Sequence, residues 1–320
     1  MEKKILITGG TGFIGSNLAL VLVQKGFSVR ILDNNSRGNE NRIKKIFHEI
    51  EYVNADIRDE SKVLSVCQNI DCVIHLASIN GTEFFYTRPD EVLEISVMGM
   101  MNLLKGCIKH NIPEFFSASS SEVYNSSSII PTPENVPLVI PDIYNPRFSY
   151  SGGKIISELL GIHYGKKYFQ RMVIFRPHNV YGPDMGREHV IPQFVLRMLS
   201  LLRKEKTLIS FPIQGTGKER RAFIYISDAV AAIVKLIEKA NHLEIYNIGT
   251  QEEITVRQIA EFIGQYFQRK IKIVQGKLPQ GSVKRRCPDI SKMIALGFIP
   301  KVSFTKGIHT VIEWYVHHEK

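Results

Sequence analysis

The first half of the chain alternates short apolar runs with longer segments in which apolar residues recur at helical spacing. The apolar runs predict strands at Lys4–Thr8, Ser28–Asp33, Glu51–Asn54, Asp71–Leu76 and Glu114–Ser119. The segments between them predict helices, for example over Phe13–Gln24 and from Val92 to His110, because their apolar residues follow a period of about 3.6. This alternation predicts an α/β fold in which a doubly wound parallel sheet has helices on both faces.

The second half is less regular and is punctuated by glycine and proline. Loops are predicted at Gly182–Pro192 and Ile213–Glu219, and a Ser- and Pro-rich surface loop at Ser126–Pro141. Helices are predicted at Ser227–Lys239, with Ser227 as a candidate N-cap, at Thr255–Phe267 and at Phe304–His317. The second half therefore predicts helices joined by long loops, and it shows no internal repeat.

Composition narrows the class of protein. The chain is 44% hydrophobic and 22% charged, which is typical of a folded globular protein. No apolar run approaches the roughly 20 residues that span a bilayer, and Met1–Gly15 does not read as a signal peptide. The four cysteines are Cys67, Cys72, Cys107 and Cys287. Since they form no C-x-x-C pair and no zinc-ligand spacing, we expect reduced thiols, no metal, no membrane partner and a cytoplasmic location.

The net charge of +10 raises the possibility of nucleic-acid binding. The basic residues are scattered, however, with short clusters at Arg203–Lys206, Arg220–Arg221 and Lys284–Arg286. No nucleic-acid motif accompanies these clusters. A small phosphate-bearing substrate explains them better, and we expect no nucleic-acid partner.

A glycine-rich loop follows the first predicted strand. Gly9, Gly12 and Gly15 form a G-x-x-G-x-x-G pattern. Gly9 permits a tight turn, Gly12 lets the backbone approach a pyrophosphate, and Gly15 lets the helix lie close to the sheet. The helix begins at Phe13 and Ile14, where its free N–H groups point towards the phosphates. A strand before the loop and a helix after it predict a Rossmann dinucleotide site.

The second predicted strand ends at Asp33, 18 residues beyond Gly15. A carboxylate there can accept from both adenosine ribose hydroxyls and repels a 2′-phosphate. This position favours NAD over NADP as the cofactor. Arg37 lies nearby and would suit such a phosphate, which leaves the alternative open.

Tyr150 and Lys154 are four positions apart, so on a helix their side chains share one face. An ammonium beside a phenol favours the phenolate, and an oxidised nicotinamide adds positive charge. Tyr150 is therefore a candidate general base near neutral pH. The hydroxyl-rich stretch Ser117–Tyr124 follows a predicted strand, which places its side chains at the carboxyl edge of the sheet.

Together these motifs resemble the extended short-chain dehydrogenase/reductase family, in particular its nucleotide-sugar epimerases, dehydratases and decarboxylases. The similarity covers nearly the whole chain and is carried by Thr8–Gly15, Asp33-Asn34, Asn54–Ile57, His75–Ser78, Ser119–Tyr124, Tyr150 with Lys154, Arg176–Pro183, Tyr246–Gly249 and Arg286–Ile290. The resemblance implies a Rossmann NAD-binding domain over residues 1–176, rejoined by about 222–250. It also implies a smaller C-terminal α/β domain, mainly residues 177–320, that binds a nucleotide-diphosphate sugar. Relatives form homodimers through helices that correspond to Glu91–His110 and Ser149–Phe169.

The resemblance assigns roles residue by residue. Ser120 matches the Ser/Thr that hydrogen-bonds the reacting sugar hydroxyl, Tyr150 the base, and Lys154 the residue that holds the nicotinamide ribose. The cofactor set is Gly9, Gly12, Phe13, Ile14, Gly15, Asp33, Asn34, Asp56, Ile57, Leu76, Ala77, Tyr150 and Lys154. The substrate set is Ser120, Ser121, Glu122, Asn179, Arg221 and Arg286, with the two arginines suited to phosphate oxygens.

Four positions depart from the family pattern. Ser96 stands where an asparagine is usual, and a smaller hydroxyl there could alter water placement. His178 replaces a residue that is often Phe or Tyr, so it either contacts substrate or is structural. Gly152 and Gly153 follow the tyrosine inside a helix start, and we expect close approach of cofactor or substrate to explain them.

The expected first step is hydride transfer from sugar C4 to NAD. Ser121-Glu122 replaces the Asp-Glu pair of dehydratases, and because serine is a poor proton donor, 4,6-dehydration is disfavoured. The Ser-Glu pair, with Pro146-Arg147, is similar to UDP-glucuronate decarboxylases. We rank epimerase first, because that class is broad, with decarboxylase and net 4-dehydrogenase as alternatives. Glu122 either abstracts a proton at C5 or C3 or orients a hydroxyl. A non-catalytic NAD-binding redox sensor is disfavoured because Tyr150 and Lys154 are present.

Overall fold

A seven-stranded parallel sheet lies at the centre of the computed structural model, which describes residues 3–203, 208–278 and 281–319. The strands are β1 (Lys4–Thr8), β2 (Ser28–Asp33), β3 (Ile50–Asn54), β4 (Cys72–His75), β5 (Glu114–Ala118), β6 (Arg171–Pro177), β7 (Val180–Tyr181), β8 (Leu208–Ile213), β9 (Arg220–Ala222), β10 (Ile224–Tyr225), β11 (Ile245–Ile248), β12 (Glu253–Thr255), β13 (Lys270–Gln275) and β14 (Arg285–Arg286). The order in the large sheet is β11-β6-β5-β4-β1-β2-β3. This Rossmann-like order reverses between β1 and β4, where doubly wound sheets bind ligands at their carboxyl edge.

Some of the helices cover the two faces of this sheet, and others lie in the C-terminal part. The helices are α1 (Phe13–Gln24), α2 (Glu60–Val66), α3 (Thr82–Thr87), α4 (Pro89–Lys109), α5 (Ser149–Tyr168), α6 (Val190–Leu202), α7 (Ile226–Lys239), α8 (Val256–Tyr266), α9 (Ser291–Ala295) and α10 (Phe304–His318). One core joins α1 and α7 to one face of β1 through residues such as Ile5, Leu18 and Ile233. A second core joins α2 and α4 to the opposite face through Leu6 and Leu103. Because β1 is buried on both faces, its apolar run is continuous.

Strand register brings the chemistry to one edge. In the parallel pairing, Thr8 at the end of β1 lies beside Leu32 and His75. The Thr8 hydroxyl lies 2.8 Å from Nδ1 of His75, and this contact holds the ends of β1 and β4 together. The loops that follow β1, β2, β4 and β5 therefore open into the same cleft.

The C-terminal part packs around a third apolar core beside the sheet. It includes Phe194 on α6, Phe211 on β8, Ile259 on α8 and Phe304 on α10. Helix α8 begins at a capping box, in which Thr255 accepts from the Gln258 backbone and the Gln258 side chain accepts from Thr255. The smaller sheets are β12-β9-β14, β13-β8 and β10-β7.

The structure corrects three details of the second half. Helix α6 begins at Val190, inside the predicted loop Gly182–Pro192. Pro192 is tolerated there because it lies in the first turn, where a backbone N–H has no partner within the helix. Helix α7 begins at Ile226 with Tyr225 as N-cap, so Ser227 lies in the first turn and is not the cap. The segment Ser126–Pro141 is not a surface loop throughout, since Thr132 is buried and exchanges backbone hydrogen bonds with residues 287 and 289.

Two further observations bear on partners. Among the helices of the described residues, none combines the length and the apolarity that crossing a membrane requires. Of the basic cluster Arg203–Lys206, residues 204–206 lie outside the described residues.

Candidate active site

The glycine-rich loop forms the floor of a cleft of about 370 Å³ at the switch point of the sheet. Gly9 has φ of 73°, and a Cβ there would lie 2.8 Å from the backbone nitrogen of Ala77. A Cβ at Gly15 would overlap the carbonyl oxygen of Gly9. A Cβ at Gly12 would meet only the Gly9 oxygen, at 3.1 Å, and would otherwise project into open space. This open cradle fits a pyrophosphate held close to the backbone and the N-terminus of α1.

Asp33 occupies the adenosine side of the cleft. Its carboxylate accepts from the backbone N–H of Thr11 at 3.0 Å and of Asn35 at 2.9 Å. These bonds hold the side chain towards the cleft, and each oxygen keeps capacity for a ribose hydroxyl. The carboxylate thus connects the glycine loop to the end of β2.

Asp56 is held by a neighbouring guanidinium. Arg58 donates to both of its oxygens, at 3.0 and 2.8 Å, and Asn34 donates at 3.0 Å. The Arg58 hydrogen bonds lower the pKa of Asp56, so it is ionised. Asn34, Asp56 and Ile57 all line the cleft, as do Leu76 and Ala77.

Tyr150 and Lys154 lie in the first turns of α5 and are both buried. The Lys154 ammonium donates to the carbonyl oxygen of Ala118 at 2.8 Å and lies 5.8 Å from the centre of the Tyr150 ring. Burial lowers the pKa of Lys154 to about 8. Burial raises the pKa of Tyr150 to about 12, although the hydroxyls of Ser120 and Ser78 act to lower it. The prediction that Tyr150 acts as a base near neutral pH also relies on the positive charge of the oxidised nicotinamide, and it stays a prediction.

Ser120 follows β5 and caps a short 3₁₀ turn, Ser121–Tyr124. Its Oγ accepts from the backbone N–H of Glu122 at 3.2 Å. The turn places Ser120, Ser121 and Glu122 on the wall of the same cleft as Tyr150. The serine hydroxyl and the phenol therefore converge at the end of the cofactor cleft.

Glu122 forms a two-point ion pair with Arg286, with the second contact at 3.2 Å. Burial opposes ionisation, but the positive charges of Arg286, Arg147 and Arg221 outweigh it and lower the pKa of Glu122 to about 2. Three guanidiniums thus surround one carboxylate. The excess positive charge suits a phosphate-bearing ligand.

The two arginines predicted to bind substrate are neighbours across a strand pair. Parallel pairing of β9 and β14 places Arg221 beside Arg286. Burial and the charge of Arg286 lower the pKa of Arg221 to about 10. Within the described part of the chain, the buried Nε of Arg286 has no hydrogen-bond partner. Asn179 lines the cleft, and its side chain donates to the Ala222 carbonyl at 2.8 Å, at the end of the strand that carries Arg221.

The structure places most of the predicted residues together. Every predicted cofactor residue lines the cleft, together with Ser120, Ser121, Glu122 and Asn179. Arg221 and Arg286 are not among the described residues that line it; Arg286 reaches the cleft through its ion pair with Glu122, and Arg221 lies beside Arg286.

Three contacts beside the cleft were not predicted. Phe85 stacks on the ring of Tyr150, Ser78 interacts with its hydroxyl, and Arg37 pairs with Glu188 across the cleft mouth. Arg37 was noticed only as a candidate phosphate contact. Ser78 and Glu188 lie in irregular connections and Phe85 lies on a helix of only six residues, so periodicity carries no signal for these contacts.

Three of the four departures from the family pattern, His178, Gly153 and Ser96, have structural explanations. His178 is fully buried, lies 3.2 Å from the Asn247 side-chain oxygen, and has its pKa lowered by burial to about 3, so it is a neutral structural residue. A Cβ at Gly153 would lie 2.7 Å from that of Ser96. This glycine therefore permits close packing of α4 and α5, and the expected approach of cofactor or substrate is not its reason. The Ser96 hydroxyl donates to the Val92 carbonyl at 2.8 Å within its own helix.

Comparison with known proteins agrees with this geometry. Residues 5–249 match the NAD dependent epimerase/dehydratase family. The chain is 32% identical to a UDP-N-acetyl-alpha-D-glucosaminuronate decarboxylase of Bacillus cytotoxicus, over 98% of both chains. It is also 32% identical to a putative UDP-glucose 4-epimerase of Methanocaldococcus jannaschii, over 97% of both.

Solved structures give the same result. A dTDP-glucose 4,6-dehydratase from Streptomyces venezuelae, with NAD and TYD bound, superposes with a TM-score of 0.88 at 25% identity, covering 99% of this chain and 98% of that one. A UDP-glucose 4-epimerase of Thermotoga maritima, with UDP-glucose, superposes with a TM-score of 0.86 at 27% identity, covering 99% and 100%. The cofactor of the cleft is therefore NAD.

Proposed function

We propose, given that the chain belongs to the NAD-dependent epimerase/dehydratase family of enzymes, that it is a 4-epimerase of a nucleotide-diphosphate sugar. The observation that carries the choice is the ion pair between Glu122 and Arg286. Dehydration needs an acid and a base beyond Tyr150. Ser121 is a poor acid, and a carboxylate with a pKa of about 2 is a weak base. Epimerisation returns the hydride to the other face of the ketone, and this step requires neither an additional acid nor an additional base.

The residues divide the first step between them. Tyr150 takes the proton of the C4 hydroxyl, and Ser120 orients that hydroxyl by hydrogen bonding. Lys154 is anchored at the Ala118 carbonyl and contributes positive charge beside the phenol. When bound, NAD would supply the hydride acceptor and donor, and the positive charge of its oxidised ring would favour the phenolate.

Charge supports a nucleotide diphosphate as the bound group. Arg147 and Arg221 act on the same carboxylate as Arg286, so the cluster carries more positive than negative charge. A diphosphate beside this cluster gains charge-assisted hydrogen bonds from planar guanidiniums. We assign Arg221 and Arg286 to the diphosphate side of the substrate and Asn179 to the wall next to it.

A decarboxylase is the second candidate. The same excess of guanidinium charge would accept a uronate carboxylate, and one relative with 32% identity is named as a decarboxylase. A 4-keto uronate loses CO₂ without a further protein base, so the state of Glu122 does not argue against this reaction. The epimerase and the decarboxylase are therefore separated by whether the sugar of the substrate carries a carboxylate.

A panel of UDP-, dTDP-, GDP- and CDP-linked sugars, analysed by mass spectrometry and chromatography, tests the proposal. An isomer of unchanged mass is the expected product. Loss of CO₂, of water or of two hydrogens identifies decarboxylase, dehydratase or net 4-dehydrogenase and overturns the epimerase. NAD binding without conversion of any sugar would favour a redox sensor.

Assembly and domain division are part of the same proposal. Exposed apolar side chains lie on α4 and α5, among them Met98 at 49% and Leu159 at 52% exposure. A second copy would cover this surface in a four-helix homodimer.

We divide the chain into an NAD-binding part, 1–176 with about 222–250, and a substrate part, mainly 177–320. The cytoplasmic location stays a prediction.

A further inference from the structure

Phe85, on the short helix α3, lies face to face with the candidate base. The centres of the Phe85 and Tyr150 rings are 4.9 Å apart, and the ring planes differ by 11°. Each residue is only 4% exposed. The contact covers one face of the phenol with an apolar ring.

The position of Phe85 is set by the rim of the cofactor cleft. Its neighbour Phe84 lies under two guanidiniums, with Arg37 4.4 Å and Arg88 5.1 Å from the ring centre. Arg37 in turn pairs with Glu188 on the opposite rim. Helix α3 is therefore held from its outer side while Phe85 points inward to the cleft.

The polar groups around Tyr150 come from three elements. Lys154 faces it from its own helix, Ser120 and Glu122 from the turn after β5, and Ser78 from the loop after β4. The hydroxyls of Ser120 and Ser78 favour the phenolate, and the Glu122 charge opposes it. Apolar burial outweighs them all, and the Phe85 ring forms part of that apolar surface.

We propose that Phe85 is a positioning residue that fixes the ring plane of Tyr150 and excludes water from its phenol. The phenol then stays neutral until the positive charge of the oxidised cofactor is beside it. The inference rests on the proposed role of Tyr150 as the base. Its physical reason is that a desolvated phenolate is costly unless a positive charge is close.

The test replaces Tyr150 by difluorotyrosine, a more acidic phenol, and follows its ionisation by fluorine NMR with and without NAD. Phe85→Ala admits water, so we expect the pKa of the phenol to fall by about one unit without NAD, a tenfold rise in phenolate at a given pH. The shift on adding NAD should become smaller. Phe85→Leu keeps apolar volume, so we expect a pKa near that of the parent.

Phe211→Ala is the matched control, because Phe211 is also buried against an aromatic partner, Phe194 at 5.1 Å, but lies in the C-terminal core. It should leave the phenol titration unchanged. A Phe85→Ala titration identical to the parent, or a shift equal to that of Phe211→Ala, would overturn the inference. If Phe85→Ala does not fold, Phe85→Val provides the smaller side chain.

Single-turnover reduction of NAD by the sugar substrate gives the second readout. We expect Phe85→Leu to slow hydride transfer about tenfold through loss of ring orientation, with its pH profile unshifted. A normal rate in Phe85→Leu would contradict the orienting role. The NMR titration needs no sugar, so a titration shift without any sugar reaction would count against the proposed function and leave the role of Phe85 intact.

Discussion

The Arg286 guanidinium donates to both carboxylate oxygens of Glu122, although the two residues are 164 positions apart in the chain. The pair joins the turn after β5, which carries Ser120, to strand β14 of the C-terminal part. It therefore links the hydroxyl that we propose to orient the substrate to the arginines that we assign to the diphosphate.

The first prediction concerns stability and pH. An unfolded glutamate has a pKa of about 4.3, whereas that of Glu122 is lowered to about 2. Ionised Glu122 therefore contributes its full stabilisation above the pKa that it has in the unfolded chain. This contribution is lost as the pH falls through the lower pKa that Glu122 has in the folded protein. Glu122→Gln should lose about 1–3 kcal/mol of unfolding free energy at neutral pH and show a weaker loss on acidification. Urea unfolding at several pH values measures both effects.

The exposed pair of Lys25 and Glu238 supplies a control, since its atoms lie 3.5 Å apart at the surface. Glu238→Gln should change stability by less than about 0.5 kcal/mol. Equal pH dependence in Glu122→Gln and the parent enzyme would contradict the ion-pair account.

A second prediction separates the base from Glu122. Tyr150→Phe should slow hydride transfer roughly 10²–10⁴-fold, because it removes the proton acceptor and keeps the ring. Glu122→Gln should still reduce NAD and complete the reaction, with its main effect on substrate KM. Single-turnover NADH absorbance with product analysis measures both. Tyr168→Phe, an exposed tyrosine at the end of the same helix, is the control.

Two results would count against this division of roles. Undiminished hydride transfer in Tyr150→Phe would remove Tyr150 as the base. Accumulation of the 4-keto sugar in Glu122→Gln would show that Glu122 serves the second step, which the epimerase proposal does not require.

The third prediction concerns cofactor choice. Asp33→Ala should weaken NAD binding and raise the relative affinity for NADP, because the ribose acceptor and its repulsion of a 2′-phosphate disappear together. The glycine-rich loop and the turn after β2 should also become more mobile, because the backbone N–H groups of Thr11 and Asn35 lose their acceptor. Titration calorimetry with both cofactors checks the ratio, and equal affinities in the parent enzyme would refute the role of Asp33.

The fourth prediction concerns cofactor release. Arg37 and Glu188 pair across the mouth of the cleft, while Arg42 anchors the same loop by donating to Asp184 at 2.7 and 3.1 Å. Glu188→Gln should therefore speed NAD dissociation several-fold, and Arg37→Gln should do so equally. The double variant should add little, as expected for one shared contact. Stopped-flow displacement gives the rates, and slower release in Glu188→Gln would instead make Arg37 a phosphate ligand.

Features that depend on neighbours in sequence were predictable. Strand β1, the glycine turn and helix α1 were predicted with their observed bounds, because a buried parallel strand, a turn needing positive φ and an apolar helix that follows a glycine-rich loop each leave a local pattern. The spacing of Tyr150 and Lys154 likewise predicted a shared helix face. The family resemblance added the cofactor, which the comparisons confirm.

Contacts between distant segments were not predictable. The stacking of Phe85 on Tyr150, the pairing of Arg37 with Glu188 and the packing of Gly153 against Ser96 all depend on how irregular connections and helices fit together in space. The burial that raises the pKa of Tyr150 was not predictable for the same reason. A pKa depends on burial and on charges brought near by folding, and neither quantity is present in the spacing of residues along a chain.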